Sequence, residues 1–407
     1  MIRAIKLRLY PNAKQKEIII NTLGCCRSLK NLYIEWNNKE YETNKKFINA
    51  FKFDKLINKL KKENSDYKWI SKCASKAKQE AVQSAERSYQ KFFKKHAKYP
   101  KFRKRKDAKE SFYFVNELFT YYTDNKNIIK IPKLGRIRIS SGEDLPEDPT
   151  CIKSGRVVRE YDKYYVVFIY NKYNDNYDTA KRHIKLGIDL GVKDYATIYD
   201  GKQAWKVPHF KDNPRYKELY NKITALRKVV SRKAEYNYGK LLNIYMDKNG
   251  PDISDKDKKR LQRESRESNN INKLQARIGK LNKKMVNIRM DFIKKLCYDI
   301  TARIKPYQIN IEDLSVINML KNTKDHKLLR YIKESGFYIF KEHLISKCVE
   351  YGVDLNILDP FYPSTKTCCA CESINNNITL TDRTFECPVC GLTIDRDINA
   401  SINIHNA

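Results

Sequence analysis

The sequence predicts an α+β protein of more than one domain: an N-terminal β-barrel with an inserted helical bundle, then a second α+β domain with its own helical insertion and a C-terminal zinc ribbon. Three observations predict it. Segments of period-two and period-three-to-four hydrophobicity alternate along the chain, the apolar pattern lapses near Asn171 to Asp178, and two Cys-x-x-Cys pairs stand near the C-terminus. The chain has 407 residues, 41% of them hydrophobic, with only 13 Gly and 12 Pro, so it can bury cores in two or three domains of ordinary size.

From Ile2 to Tyr10, Ile5, Leu7 and Leu9 alternate with Arg3, Lys6 and Arg8, the period of a half-buried strand that Pro11-Asn12 closes. Residues 13–41 and 70–96 place apolar groups three and four apart, the second with Ala74, Ala77, Ala81 and Ala85, which predicts helices inserted at about 13–98. Strand-like segments at 111–115, 128–139 and 156–170 then rejoin the first strand, giving a barrel domain over 1–178 and a second domain over 179–407. The run Ile184 to Tyr199 reads as a hairpin that turns at Gly191 to Asp194. Residues 213–304 read as helical: Ile271, Leu274, Ile278, Leu281, Met285 and Ile288 form a heptad seam, and Leu219, Ile223, Leu226 and Val230 form a matching arm. Between the arms Asn249-Gly250-Pro251-Asp252 breaks the chain, which predicts an antiparallel helical hairpin. Strands return at Gln308 to Glu312 and Val353 to Leu358, on either side of a helix near Phe337 to Tyr351.

Charge narrows the function. With 82 Lys+Arg against 48 Asp+Glu the formal charge is +34, far beyond what solubility requires, and a polyanion is the expected partner. Residues 1–110 hold 30 basic and 11 acidic side chains, whereas 300–407 hold 12 and 13. A purely electrostatic nucleic-acid binder has no need of a neutral last quarter, while carboxylates that hold metal ions would balance the basic residues there. Binding is expected upstream and chemistry downstream. No apolar run reaches the length of a membrane span, and Met1-Ile-Arg-Ala-Ile-Lys lacks the apolar stretch of a signal peptide, so a soluble cytoplasmic protein without a membrane partner is expected. The odd count of 11 cysteines fits a reducing compartment.

Four of those cysteines carry chemistry. Cys368 and Cys371, then Cys387 and Cys390 after fifteen intervening residues, have the spacing of two knuckles that close a tetrahedral thiolate shell around one Zn²⁺, with the ribbon at about 364–393. Cys369 competes with Cys368 for the first position, and Cys25, Cys26, Cys73, Cys151, Cys297 and Cys348 read as core. Acids in apolar surroundings form the second signal: Asp189 in Gly187-Ile-Asp-Leu-Gly191, Glu312 in Ile309-Asn-Ile-Glu-Asp-Leu314, and Asp395 and Asp397 at the opening of a final helix. One such acid is an ordinary strand-end cap, but three together point to a metal site. The basic stretch Lys101, Arg103, Lys104, Arg105 and Lys106, together with the N-terminal helices, is expected to contact phosphates.

Gly187-Ile-Asp-Leu-Gly191, Glu312-Asp-Leu314, Pro363-Ser-Thr-Lys-Thr-Cys368 and Cys387-Pro-Val-Cys-Gly391 through Asp395-Arg-Asp-Ile-Asn-Ala-Ser401 resemble the TnpB proteins of insertion sequences, the apparent ancestors of Cas12-type CRISPR effectors. Weaker matches run upstream through Arg27 and Asn31, Tyr99-Pro-Lys-Phe-Arg103 and Ile131-Pro-Lys-Leu-Gly135. The resemblance implies an RNA-guided DNA endonuclease with a RuvC-type, RNase H-like nuclease domain in a prokaryotic cytoplasm, nucleoid-associated when bound to DNA. Its partners would be a guide RNA, from a transposon end or a CRISPR array, and target double-stranded DNA read beside a short flanking motif. Carried over by motif, Asp189, Glu312 and Asp397 are the catalytic ligands of two Mg²⁺ ions, with Asp395 the alternative to Asp397; Arg27 joins the nucleic-acid contacts. The segment from about Asn237 to Asn270 is longer and more polar than the family leads one to expect. A zinc-ribbon repressor of the same family without catalysis is the rival reading, and the retention of all three acids speaks against it. A transposase proper is a third, disfavoured because strand transfer in those elements is assigned to a separate protein.

Overall fold

The computed structural model describes residues 2–104, 109–114, 120–121, 127–141, 145–146, 148–171, 182–314, 326–379 and 382–407. The chain divides into two compact units, Met1–Tyr173 and Asn174–Ala407. No helix among the described residues is long and apolar enough to cross a membrane.

In the first unit β1 (Ile2–Tyr10), β2 (Lys109–Phe114), β3 (Thr120–Tyr121), β4 (Ile128–Ile131), β5 (Gly135–Ile139), β6 (Ile152–Glu160) and β7 (Lys163–Asn171) form one antiparallel sheet in the order β2-β6-β7-β1-β5-β4-β3. The expected barrel is an open sheet among the described residues: no ladder joins β2 to β3, and β3, with two residues, is too short an edge to close a ring. Two stretches expected as single strands are hairpins. The chain turns at Lys133 (φ 66°) and Gly135 (φ 71°), and again at Tyr161 (φ 56°). Lysine and tyrosine are uncommon residues in the left-handed region, so composition did not mark these turns.

Helices α1 (Ala13–Asn44), α2 (Ala50–Glu63) and α3 (Ser75–Phe93) pack with the sheet into one core of Leu7, Leu9, Ile19, Leu29, Phe53, Ala81, Val166 and Phe168 among others. The sequence reading missed α2, whose Ala50, Phe53 and Ile57 are buried at helical spacing. Asn12 caps α1 in a reciprocal box with Gln15 (2.9 and 3.0 Å). The Gln15 amide also donates to the Leu134 and Arg136 carbonyls (3.0 and 2.8 Å), which fastens the helix start to the β4–β5 turn.

The second unit is built on β8 (Lys185–Leu190), β9 (Asp194–Tyr199), β10 (Ala204–Pro208), β11 (Gln308–Glu312) and β12 (Asp354–Leu358), in the order β10-β9-β8-β11-β12. The pairs β8–β9 and β9–β10 are antiparallel, and β11 runs parallel to both β8 and β12. The hairpin forms where the sequence placed it; β10 was not foreseen. Helices α4 (Pro214–Asn249), α5 (Asp255–Glu264) and α6 (Asn269–Tyr298) replace the simple hairpin, with α4 ending at Gly250 (φ 81°). The arms are antiparallel: Phe210, before α4, stacks near Tyr216 and near Phe292 late in α6, while Asn237 in α4 donates to the Ser265 carbonyl before α6 (3.0 Å). The polar segment contains α5, anchored by buried Leu261. Then follow α7 (His326–Ser335), α8 (Phe337–Tyr351), a hairpin of β13 (Thr384–Glu386) and β14 (Thr393–Asp395), and the C-terminal helix α9 (Arg396–Asn406).

Strand periodicity sorts the sheet. Leu186 and Ile188 on β8, with Ile309 and Ile311 on β11, enter a core with Phe210, Ile293, Phe337, Phe340 and Leu344. The alternate residues Gly187, Asp189, Asn310 and Glu312 point to the other face, where α9 lies. A Cβ at Gly187 would sit 2.3 Å from the Ser401 carbonyl oxygen and 2.5 Å from the His405 nitrogen, so only glycine admits the helix backbone this close. Gly187→Ala should therefore destabilise this unit by about 1–3 kcal/mol. Urea unfolding followed through Trp205, the tryptophan of this unit, reads the loss; a wild-type midpoint would contradict the close approach.

Candidate functional site

Asp189 and Glu312 leave adjacent parallel strands on the same face. The register pairs Gly187 with Asn310, and two residues further each strand carries its acid. Asp189 is half-buried, and burial first, then the charges of Glu312 and Asp397, push its carboxyl up to about 8. Burial also raises Glu312, against which the Ser364 hydroxyl donates a hydrogen bond to Oε1. The next residue, Asp313, pairs instead with Lys341 (2.5 Å).

The third acid comes from the first turn of α9. Asp395 is the helix cap: its Oδ1 accepts from the Asp397 and Ile398 nitrogens (3.0 and 3.2 Å) and its Oδ2 pairs with Lys206 (2.7 Å). Burial raises Asp395, but Lys206 and those backbone donors outweigh it and hold the carboxyl below its ordinary range. Asp397 is the aspartate whose charge acts on Asp189, and it pairs with Arg396 at 3.1 Å. The structure thus brings Asp189, Glu312 and Asp397 together, while Asp395 is occupied by capping. Lys206, on the unforeseen β10, had no signal in the sequence, and Ser364 stood in the motif Pro363-Ser-Thr-Lys-Thr-Cys368 without a role assigned to it. Glu312 and Asp397 oppose the ionisation of Asp189, and three carboxylates gathered in this way form a donor set suited to a hard cation.

The sulfur ligands assemble separately. The Sγ atoms of Cys368, Cys371, Cys387 and Cys390 all lie within 4.8 Å of one another and could hold a metal ion such as zinc. Backbone donation prepares Cys387: the Cys390 nitrogen donates to its sulfur (3.4 Å), and this bond, followed by the Ser373 hydroxyl, lowers that thiol to about 5. Gly391 (φ 72°) and Glu372 (φ 61°) make the tight turns after the two knuckles, above a small core of Phe385, Ile378, Leu392 and Ile394. Cys369 stands outside the cluster; its nitrogen donates to Asn399 Oδ1 (2.9 Å). Among the other six, Cys25, Cys26, Cys73, Cys297 and Cys348 are buried and Cys151 is half-buried.

The expected phosphate contacts lie in the first unit. Lys101, Arg103 and Lys104 are exposed, and the backbone of Arg103 exchanges hydrogen bonds with Asn31 (2.8 and 3.0 Å). Arg105 and Lys106 lie outside the described residues. Arg27 is half-buried and paired with Glu110, which also holds Arg159 (2.6 Å), so its charge is already partnered.

Two family models match the chain: "Cas12f1-like, TNB domain" over residues 337–404 and "Helix-turn-helix domain" over residues 1–46. Residues 1–46 fold here as β1 and the single uninterrupted helix α1. A protein of Streptomyces pristinaespiralis is 26% identical over 99% of this chain and 88% of its own length, and InsQ of Escherichia coli K12 is 26% identical over 99% and 91%. Both are named as candidate RNA-guided DNA endonucleases. A TnpB-like protein of Acanthamoeba polyphaga mimivirus is 24% identical over 63% of this chain and 44% of its own. The chain is similar to these TnpB-like and RNA-guided-endonuclease proteins. Among solved structures, that of a mini-RNA-guided endonuclease, CRISPR-Cas phi3, overlays on 100% of this chain and 92% of its own, at 12% identity and a TM-score of 0.49.

Two outcomes follow for this protein. A carboxyl raised from 3.8 to about 8 binds its proton in the folded state where the unfolded chain has lost it, so metal-free stability falls as pH rises across that window. Asp189→Asn should flatten that fall in thermal melts at pH 5 and pH 8, and an unchanged pH slope would refute the raised carboxyl. Purified protein should carry one equivalent of zinc by elemental analysis, retained in Cys369→Ser and lost in Cys387→Ser; equal retention in both would remove the four-thiol assignment.

Proposed function

We propose that the chain is an RNA-guided DNA endonuclease that cuts target double-stranded DNA beside a short flanking motif, with Asp189, Glu312 and Asp397 as its catalytic acids. The observation that carries the reading is the meeting of these three acids, from three separate segments, in a chain matched end to end by relatives named for that activity. The sheet, an antiparallel hairpin continued by two parallel strands, supports an RNase H-like reading of RuvC type. Two Mg²⁺ ions bound by these carboxylates would supply an activated water and stabilise the leaving oxygen of the phosphodiester.

The protein's own groups divide the remaining work. Burial of the acids keeps them from being solvated individually, so they favour a shared cation. Asp395 fixes the first turn of α9, which orients Asp397. Lys206 and Arg396 partly offset the local negative charge, so phosphate is not simply repelled. The thiol cluster has four protein ligands and no open position, so its Zn²⁺ is structural.

Guide RNA accounts for the charge. With +34 formal charges, neutralising ~10 phosphates would give a log-log salt slope near −7 to −9. Delegating sequence reading to base pairing leaves the protein to hold the heteroduplex by its backbone and to read the flanking motif. The test incubates protein, Mg²⁺ and target plasmid with and without a matched guide. Cleavage should require the guide, and Asp189→Ala, Glu312→Ala and Asp397→Ala should each abolish it with guide binding unchanged. Equal cleavage without guide sinks the RNA-guided reading, and near-normal cleavage by any of the three variants removes that residue from the site.

A further inference from the structure

We propose that Ser364 is a positioning residue for Glu312, and that through it the zinc-bearing loop sets the affinity of the carboxylate site for its divalent cations. The proposal rests on the carboxylate reading above and concerns how that site is held in shape.

Ser364 is buried, with 1% of its surface exposed, and its hydroxyl donates to Glu312 Oε1 across 52 residues of sequence. A hydroxyl has one proton to give. Directed at Oε1, it fixes the rotation of the carboxylate and leaves Oε2 and the remaining lone pairs for a cation.

The serine is itself immobilised from both sides. Its carbonyl accepts from Asn403 Nδ2 (2.7 Å), and the same amide reaches the Thr367 carbonyl (2.7 Å). Asn399, one helical turn earlier, also donates to the Thr367 carbonyl (2.7 Å) and accepts from the Cys369 nitrogen (2.9 Å). Asn399 and Asn403 are buried, so releasing either bond would strand polar atoms away from water. On the loop side, the Lys366 and Thr367 nitrogens close a turn onto the Pro363 carbonyl (both 3.0 Å), and Tyr362 donates to the Asn403 carbonyl (3.1 Å). Cys368, the first thiol of the cluster, lies between the two residues that the asparagines hold. Metal in the cluster fixes Cys368, the asparagines fix the loop to α9, and Ser364 passes the constraint to Glu312. Outer partners of metal-binding carboxylates typically change metal affinity by about 10–100-fold.

The experiment uses the guide-loaded protein. Cleavage of a matched plasmid is measured across a Mg²⁺ titration, and Mn²⁺ binding to the same complex is followed by electron paramagnetic resonance. Ser364→Ala should raise the half-saturating Mg²⁺ concentration and weaken Mn²⁺ binding by roughly tenfold or more, with the rate recovering at saturating metal. Ser364→Thr, which keeps the hydroxyl, should restore the wild-type metal dependence. Unchanged metal dependence in Ser364→Ala, with Asp189→Ala inactive alongside, overturns this proposal alone. An equal loss at every Mg²⁺ concentration in both Ser364 variants, with a lower melting temperature, marks a purely structural serine and also overturns it. Full cleavage by Asp189→Ala overturns the carboxylate reading and this proposal with it.

Discussion

The missing side chain at Gly187 sets how closely the C-terminal helix lies on β8, and the candidate site depends on that distance. Asn310, its register partner on β11, donates its amide to the Ile404 carbonyl (2.9 Å) at the far end of the same helix. One contact lets the helix in and the other stops it from sliding. With its axial position fixed, the helix brings its first turn, and Asp397 with it, to the end of the sheet where β8 and β11 deliver Asp189 and Glu312. An alanine at 187 or a lost amide at 310 would move Asp397 without touching it.

The same helix adjoins both clusters. Its first turn places Asp397 near Asp189, and its buried Asn399 and Asn403 grip the loop that opens the thiol cluster. Oxygen donors suit a hard cation and sulfur donors suit Zn²⁺. Glu312 and Asp397 oppose the ionisation of Asp189, and in the thiol cluster the Cys390 nitrogen favours the Cys387 thiolate.

Much of this was legible in the residues. Asp189 and Glu312 interrupt apolar strands where an uncompensated charge is costly, and the cysteine spacing states its geometry outright. The sequence left Asp395 beside Asp397, and only the coordinates give Asp395 its cap and its ion pair. What stayed hidden were contacts between residues far apart in the chain: Ser364 on Glu312, Lys206 on Asp395, Glu110 on Arg27. No periodicity encodes them. The hairpin at Tyr161 was missed for a local reason, since alternation continues through a tight turn whose left-handed residue is neither glycine nor asparagine. The expected barrel is an open sheet among the described residues, because alternation along a strand fits an open sheet as well as a closed one.

The most direct test of the account is the location of divalent metal in the guide- and target-bound complex, read from the anomalous diffraction of Mn²⁺ soaked into its crystals. The account predicts Mn²⁺ held by carboxylate oxygens of Asp189, Glu312 and Asp397, with Ser364 still on Glu312 and Asp395 still capping the helix. Mn²⁺ bound through Asp395, or anywhere away from these three acids, would contradict it.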